Sequence, residues 1–464
     1  MKTLLLLALS LPLLAKDPYF FEKPYLQLGN RPALDAKESL ELMWIGHDKD
    51  VAFNVEYKPA GTWLNATPKQ IRRVDFTGTA AHRVYAATLS NLKPGKRFSY
   101  RISADGKVIF ESASIARKAA KKASRFVVFG DCAANTKGQR EVAFHAAQQK
   151  PDYIFITGDI VYSRGRVSEY QTNFWPIYNA DQADPTQGAP LLRSTLFTGV
   201  IGNHDSQPIV DFDKTPDGLA YYLYWAQPTN GPMLQPGDKQ VPILQGAEAI
   251  KKKFLDATAG QYPRMANFSF DYGNVHWTVL DSNVYVDWTS EEFRQWVRND
   301  LKAASKAKWR IVGLHHPPFN SSKIHFKEQR VRVLADIFEE GKVDLVLAGH
   351  VHNYQRTHPL TFKVAPGFIL GKNAEVPGQW TLDKSFDGDK NTSPKGVIYI
   401  TTGAGGANLY NTEQNADPAS WQEFTKQFVS NIHSFSVIDA EAKQLTLKQI
   451  SAEGKELDRF TIKR

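Results

Sequence analysis

The apolar run 343–348 breaks off at Gly349 and is followed at once by His350-Val351-His352. A short run of this kind reads as a buried strand. Two imidazoles one residue apart, just past its end, can face one small volume if the backbone turns there. Neutral imidazole is the commonest protein ligand for a transition metal. Taken alone the pair is equally an ordinary polar loop. Four upstream runs end in the same manner and change its weight. The run 125–129 ends at Gly130-Asp131, and 152–157 at Gly158-Asp159-Ile160-Val161-Tyr162. The run 196–201 ends at Gly202-Asn203-His204-Asp205, and 309–314 at His315-His316. Each strand therefore delivers one or two ligand-type groups at its carboxyl end.

Between these runs the pattern suits helices at 141–149, 291–304 and 328–340. Further strands fit 275–280 and 397–401, and the stretches 434–438, 444–450 and 457–462 read as an added hairpin. Strands alternating with helices predict an α/β domain with a mixed sheet system over 125–464. In such folds ligands sit beyond the carboxyl ends of strands, where the polar clusters fall. Residues 22–116 differ. Short period-two strands at 40–45, 52–57, 83–89, 98–102 and 107–110, parted by Gly, Pro and Asp turns, argue for an all-β sandwich. No residues cluster for chemistry in it. The basic, alanine-rich stretch 117–124 reads as a linker. Three segments rich in Pro, Gly and aromatics, 163–195, 206–265 and 358–394, interrupt the α/β pattern, either to shape access to the site or to pack on the core or a second subunit.

The net charge of +9 comes from scattered basic residues with only short runs, which argues against a nucleic-acid interface and for attraction of small anionic substrates. Residues 1–15 combine a positive start, an apolar core too short to span a bilayer comfortably and a small residue before Lys16, as a cleavable signal peptide does. A secreted or periplasmic protein without a membrane anchor is expected. Cys132 is the single cysteine, so stability has to come from the core and from bound metal.

The ordered set G-D, G-D-x-x-Y, G-N-H-D, V-x-x-H and G-H-x-H, spanning residues 131–352, resembles the purple acid phosphatase branch of the calcineurin-like metallophosphoesterases. The resemblance implies an αββα sandwich preceded by a fibronectin type III-like domain, whose strand and L-x-P-G turn order 22–116 also resembles. It implies two metals sharing one carboxylate. The first would take Asp131, Asp159, Tyr162 and His352, and the second Asp159, Asn203, His315 and His350. A phenolate donor favours Fe(III); the second set suits Fe, Zn or Mn as a divalent ion. Such a pair hydrolyses a phosphate ester with a metal-bound hydroxide. His204 is expected to bind the phosphoryl oxygen and Asp205 to orient it. His325, the tenth residue after His315, matches a family position that helps bind phosphate or protonates the leaving group. His316 and Arg356 read as structural.

One departure from the family pattern stands out: the run Asp131-Cys132-Ala133 lacks the usual glycine two after the aspartate. If that position needs a left-handed backbone, Ala133 is strained by about 1 kcal/mol or more. The leading expectation is a phosphomonoesterase acting on a phosphorylated small molecule. A phosphodiesterase or nucleotide-cleaving enzyme with the same metals, and a non-catalytic binding protein using the β domain, are the alternatives.

Overall fold

A computed structural model of the chain describes residues 17–370 and 374–464. The leader expected over 1–15 lies outside the described residues. Two four-stranded antiparallel sheets come first. One orders Phe20–Gln27, Glu38–His47, His82–Leu92 and Lys69–Val74; the other orders Leu64–Ala66, Phe53–Lys58, Arg97–Ala104 and Lys107–Ile115. This is the expected sandwich, consistent with a fibronectin type III-like domain. Three of its strands, Phe20–Gln27, Leu64–Ala66 and Lys69–Val74, go beyond those legible in the sequence.

The larger part is built on two sheets. In the first, Ser124–Phe129 lies between parallel Tyr153–Ile156 and antiparallel Ser434–Ala440, with Leu196–Gly199 at one edge and Gln444–Ser451 and Glu456–Lys463 beyond the other. The C-terminal strands thus extend a sheet begun 300 residues earlier, which is what keeps Ser124–Phe129 off the edge. In the second sheet Val275–Val279, Trp309–Gly313, Leu345–Ala348 and Ile398–Thr402 run parallel. Antiparallel Phe268–Tyr272 flanks one side, and Tyr354–Thr357 and Thr425–Val429 the other.

Alternate side chains sort into different layers, as strand geometry requires. Phe126, Val128, Tyr153 and Phe155 join Trp277, Ile311, Leu345 and Leu347 in a core between the two sheets. Val127, Phe129, Ile154 and Ile156 turn the other way, toward helix Lys137–Gln148. Val312, Val346 and Ala348 face helices Glu291–Ala303 and Ala335–Glu340. The order is therefore helix, sheet, sheet, helix. Both faces of each central strand are covered, which is why these strands read as unbroken apolar runs rather than alternating ones.

Two of the long insertions pack on the core. Tyr170, Phe174, Trp175 and Tyr178 from the first, and Tyr221, Tyr222, Tyr224 and Trp225 from the second, are buried together in the layer beside the first sheet. The presumed linker is also packed. Arg117 is 1% exposed and donates to Glu38, itself 1% exposed, at 2.7 Å, and to the Asp271 carbonyl. Arg72 of the sandwich donates to the carbonyls of Tyr222 and Leu223 at 2.7 Å. The two parts share one core, so the stretch after the sandwich joins them without a flexible gap.

Candidate metal centre

All five strand ends open at the same edge of the two sheets, and the backbone there is bent to aim the side chains inward. Asp131, Asp159 and His350 adopt positive φ of 54°, 46° and 66°. Non-glycine residues pay roughly 1–3 kcal/mol for such a conformation, and it persists where surrounding contacts impose it. The contacts are present: Asp131 Oδ2 accepts the His350 amide at 2.8 Å, and Asp159 Oδ1 accepts the His204 amide at 2.8 Å. Ala133 has no positive φ; its amide donates to the Ile160 carbonyl at 3.1 Å, so the strain expected there falls on Asp131 instead. The glycine before Asn203 is required by space. A Cβ on Gly202 would lie 2.2 Å from Asp159 Oδ1 and 2.8 Å from the His315 ring.

The first expected set converges on Tyr162. Its hydroxyl lies 3.2 Å from Asp131 Oδ1, 3.1 Å from Asp159 Oδ2 and 2.9 Å from His352 Nε2. His352 Nδ1 faces the Asn408 carbonyl at 2.6 Å, and so must be the protonated nitrogen. Nε2 then presents a lone pair. One phenol proton confronts three acceptors and satisfies one.

The second set converges on His315, whose Nδ1 donates to the Thr157 carbonyl at 2.8 Å. Its Nε2 lies 3.0 Å from Asn203 Oδ1 and 3.3 Å from Asp159 Oδ1. His350 joins it: the ring centroids are 5.1 Å apart, and His350 Nε2 is held by Glu328 at 2.7 Å, which leaves Nδ1 free. The two oxygens of Asp159 thus serve different sets, Oδ2 toward Tyr162 and Oδ1 toward His315. Asp131, Asp159 and His315 are at most 1% exposed.

The charges agree with this geometry. Burial pushes Asp131 well above the ordinary carboxylate range. Burial opposes ionisation of Asp159 as well, yet the adjoining His315 pulls it below that range. His315 is raised to about 10 against its own burial, because Asp159 holds a second proton on it. That proton sits where a cation would. Burial lowers His350 and His352 to about 4, so both are neutral ligand-type imidazoles near neutral pH. Burial, then Asp131 and Asp159, push the Tyr162 phenol well up, so a phenolate at this position needs a cation beside it. Acceptors crowded on acceptors, with each imidazole's outer nitrogen tied off, fit a pair of metal ions.

His204 and His325 flank the cluster. His204 is half-buried; its Nδ1 donates to the Ser163 carbonyl at 2.8 Å and its Nε2 lies 3.9 Å from Asp159 Oδ2. His325 Nδ1 pairs with Glu328 at 2.8 Å, and its ring lies 4.2 Å from that of His350. Asp205 does not orient His204, contrary to expectation. Its carboxylate accepts the amides of Gly202, Ile160 and Val161 at 2.8–3.3 Å and so pins two ligand loops together. His316 bonds Ser282, and Arg356 forms a two-point pair with Asp458. The His316 ring also lies 4.3 Å from that of His350. Cys132 is buried, its thiol pushed up by that burial.

Sequence reasoning missed Glu328, which carries two histidines, and Tyr410. The Tyr410 hydroxyl donates to the His350 carbonyl at 2.7 Å and its ring lies 4.6 Å from that of His352. Glu328 was hidden because it reads as the first residue of a helix; the helical backbone begins at Arg330. Tyr410 follows a stretch that runs along the Gly130-Asp131 turn, with the Gly405 amide on the Gly130 carbonyl at 3.1 Å and the Ala407 amide on the Asp131 carbonyl at 2.8 Å.

Fold and cluster together define a metallophosphoesterase. Residues 124–354 match the family model for calcineurin-like phosphoesterases, and the chain carries that domain. Purple acid phosphatases are among its homologues. The chain is 22% identical over 399 residues to purple acid phosphatase 23 of Arabidopsis thaliana, covering 80% of this chain and 72% of the relative. It shares its fold with a purple acid phosphatase from yellow lupin seeds, with a TM-score of 0.63 at 18% identity, over 95% of this chain and 74% of the other. A structure of PhoD has the same fold, with a TM-score of 0.57 at 12% identity, over 96% and 91%.

Proposed function

We propose that the protein is an exported phosphomonoesterase whose dimetal centre pairs Fe(III) with a divalent Fe, Zn or Mn ion. The observation that carries the reading is the Tyr162 hydroxyl ringed by Asp131, Asp159 and His352. A phenol aimed at the carboxylates is a hard donor suited to Fe(III). Asp131, Asp159, Tyr162 and His352 would hold that ion; Asp159, Asn203, His315 and His350 would hold the other. Bound there, the pair would supply a nucleophile at mild pH and electrostatic stabilisation of an in-line displacement at phosphorus.

The remaining work falls to the chain's own groups. Asp159 sets the separation of the two sets. Thr157, Asn408 and Glu328 fix the imidazoles by their outer nitrogens. His204, with Nδ1 committed to Ser163, presents Nε2 at the open side, where a phosphoryl oxygen would sit. His325, tied to Glu328, stands on the other side and is placed to give a proton to the departing alcohol oxygen. The apolar segment at 4–14 supports export, and a small phosphorylated substrate suits an opening set among half-buried side chains.

The test is kinetic. Metal-loaded protein should hydrolyse para-nitrophenyl phosphate with a kcat/KM at least about tenfold above that for the bis-para-nitrophenyl diester, some 1.4 kcal/mol of barrier. The reverse order would replace this reading with the diesterase one. Absence of both activities would favour a binding protein.

A further inference from the structure

The loop after Tyr162 carries an exposed cation, Arg164. The Arg164 guanidinium meets no carboxylate among the described residues; its partner is the neutral amide of Gln207, with Nη1 to Oε1 at 2.8 Å. The nearby acids are already committed. Glu169 accepts the backbone amides of Ser163, Arg164 and Arg166. Asp217 takes the Arg166 guanidinium at 2.7 Å and the Ser168 hydroxyl at 2.9 Å.

The loop is also fixed in place. Gly165, with φ of 62°, lies so close to the next ligand loop that a Cβ would come 2.4 Å from the Asp205 carbonyl oxygen. Its own carbonyl accepts the Ala220 amide at 2.9 Å. Ser163, the residue before Arg164, holds His204 Nδ1, and Gln207 lies three residues beyond His204. Exposed Arg164 thus directly follows the residue that holds His204, on a backbone these contacts fix in place.

From this placement we propose that Arg164, steadied by Gln207, forms a subsite for a second anionic group on the substrate. The preferred ester would carry a carboxylate or a second phosphate on its alcohol part, close to the ester oxygen. A guanidinium offers a planar fork of donors that matches either anion, and a fixed backbone lowers the cost of holding it. The subsite rests on the phosphomonoesterase reading and adds a substrate class to it.

Three esters of similar size test it: ethyl phosphate, phosphoglycolate and ethylene glycol bisphosphate. For the wild type, kcat/KM for phosphoglycolate or for the bisphosphate should exceed that for ethyl phosphate by about tenfold, chiefly through KM. Whichever arm shows the preference identifies the anion. In R164Q that ratio should collapse toward unity, and R164K should restore part of it. A ratio is independent of the fraction of active protein, so partial misfolding of a variant does not mimic the result. A wild-type ratio near unity, or one unchanged in R164Q, overturns the subsite. If no ester is turned over, the phosphomonoesterase reading fails, and calorimetric affinities for the same three compounds, in wild type and R164Q, decide the subsite by the same ratio.

Discussion

The hydroxyl of Tyr162 lies 2.9 Å from Nε2 of His352, although 190 residues separate them in the chain. Both atoms present lone pairs to the same point, and only a shared cation or a single shared proton reconciles them. Replacing the phenol separates these possibilities. In Tyr162→Phe the iron-loaded protein should lose its tyrosinate-to-iron absorption in the visible while the second metal stays, as read by a spectrum and elemental analysis. An unchanged spectrum would show that Tyr162 is not a ligand.

Glu328 is predicted to govern how firmly the second set holds its ion. It bonds His350 at 2.7 Å and His325 at 2.8 Å, so it fixes the proposed ligand and the proposed proton donor at once. Glu328→Gln keeps the shape but loses the charge on both. Metal affinity at that set should fall by about 10–100-fold, the usual cost of removing such a partner, with the far-ultraviolet circular dichroism unchanged. Competition with a chelator measures it.

At the far edge of the second sheet, near the start of strand Val275–Val279, His276 makes stability depend on pH. Burial opposes its cation, but Asp271 at 2.8 Å and Asp300 at 3.1 Å outweigh that and raise it to about 9. A group raised above its unfolded value stabilises below that value and loses the contribution as pH rises through the folded one. The stabilisation, about 3 kcal/mol in order of magnitude, is full below about 6.5 and fades between there and about 9. Denaturant unfolding at a series of pH values should show this loss in the wild type and a flatter curve in His276→Gln.

The sequence and the structure agree where the signal is local. The apolar runs ending at Asp131, Asp159, Asn203, His315 and His350 are legible because strands covered on both faces must be apolar throughout and any functional group must wait for the end. What stayed hidden depends on contacts between distant segments. Arg117 looks like a solvated linker residue until Glu38 is found across from it. Asp205 looks like a partner for its neighbour His204, but the Gly202 amide of its own turn and the Ile160 and Val161 amides of another claim its oxygens. Strand Phe20–Gln27 contains Glu22, Lys23 and Pro24, which mask its period until its pairing with Glu38–His47 defines it. Arg164 carries no motif; it stands out only once the acids around it, Glu169 and Asp217, are seen to be taken by backbone amides and Arg166 while its guanidinium meets the neutral Gln207.

Counting metal in wild type and Asp159→Asn tests the central claim most directly, since Asp159 Oδ1 faces His315 and Oδ2 faces Tyr162. Elemental analysis of protein purified with iron and zinc should give about two ions per chain in the wild type and about one or fewer in the variant. Two ions retained by Asp159→Asn, or fewer than two bound by the wild type under saturating metal, would contradict the shared-carboxylate centre.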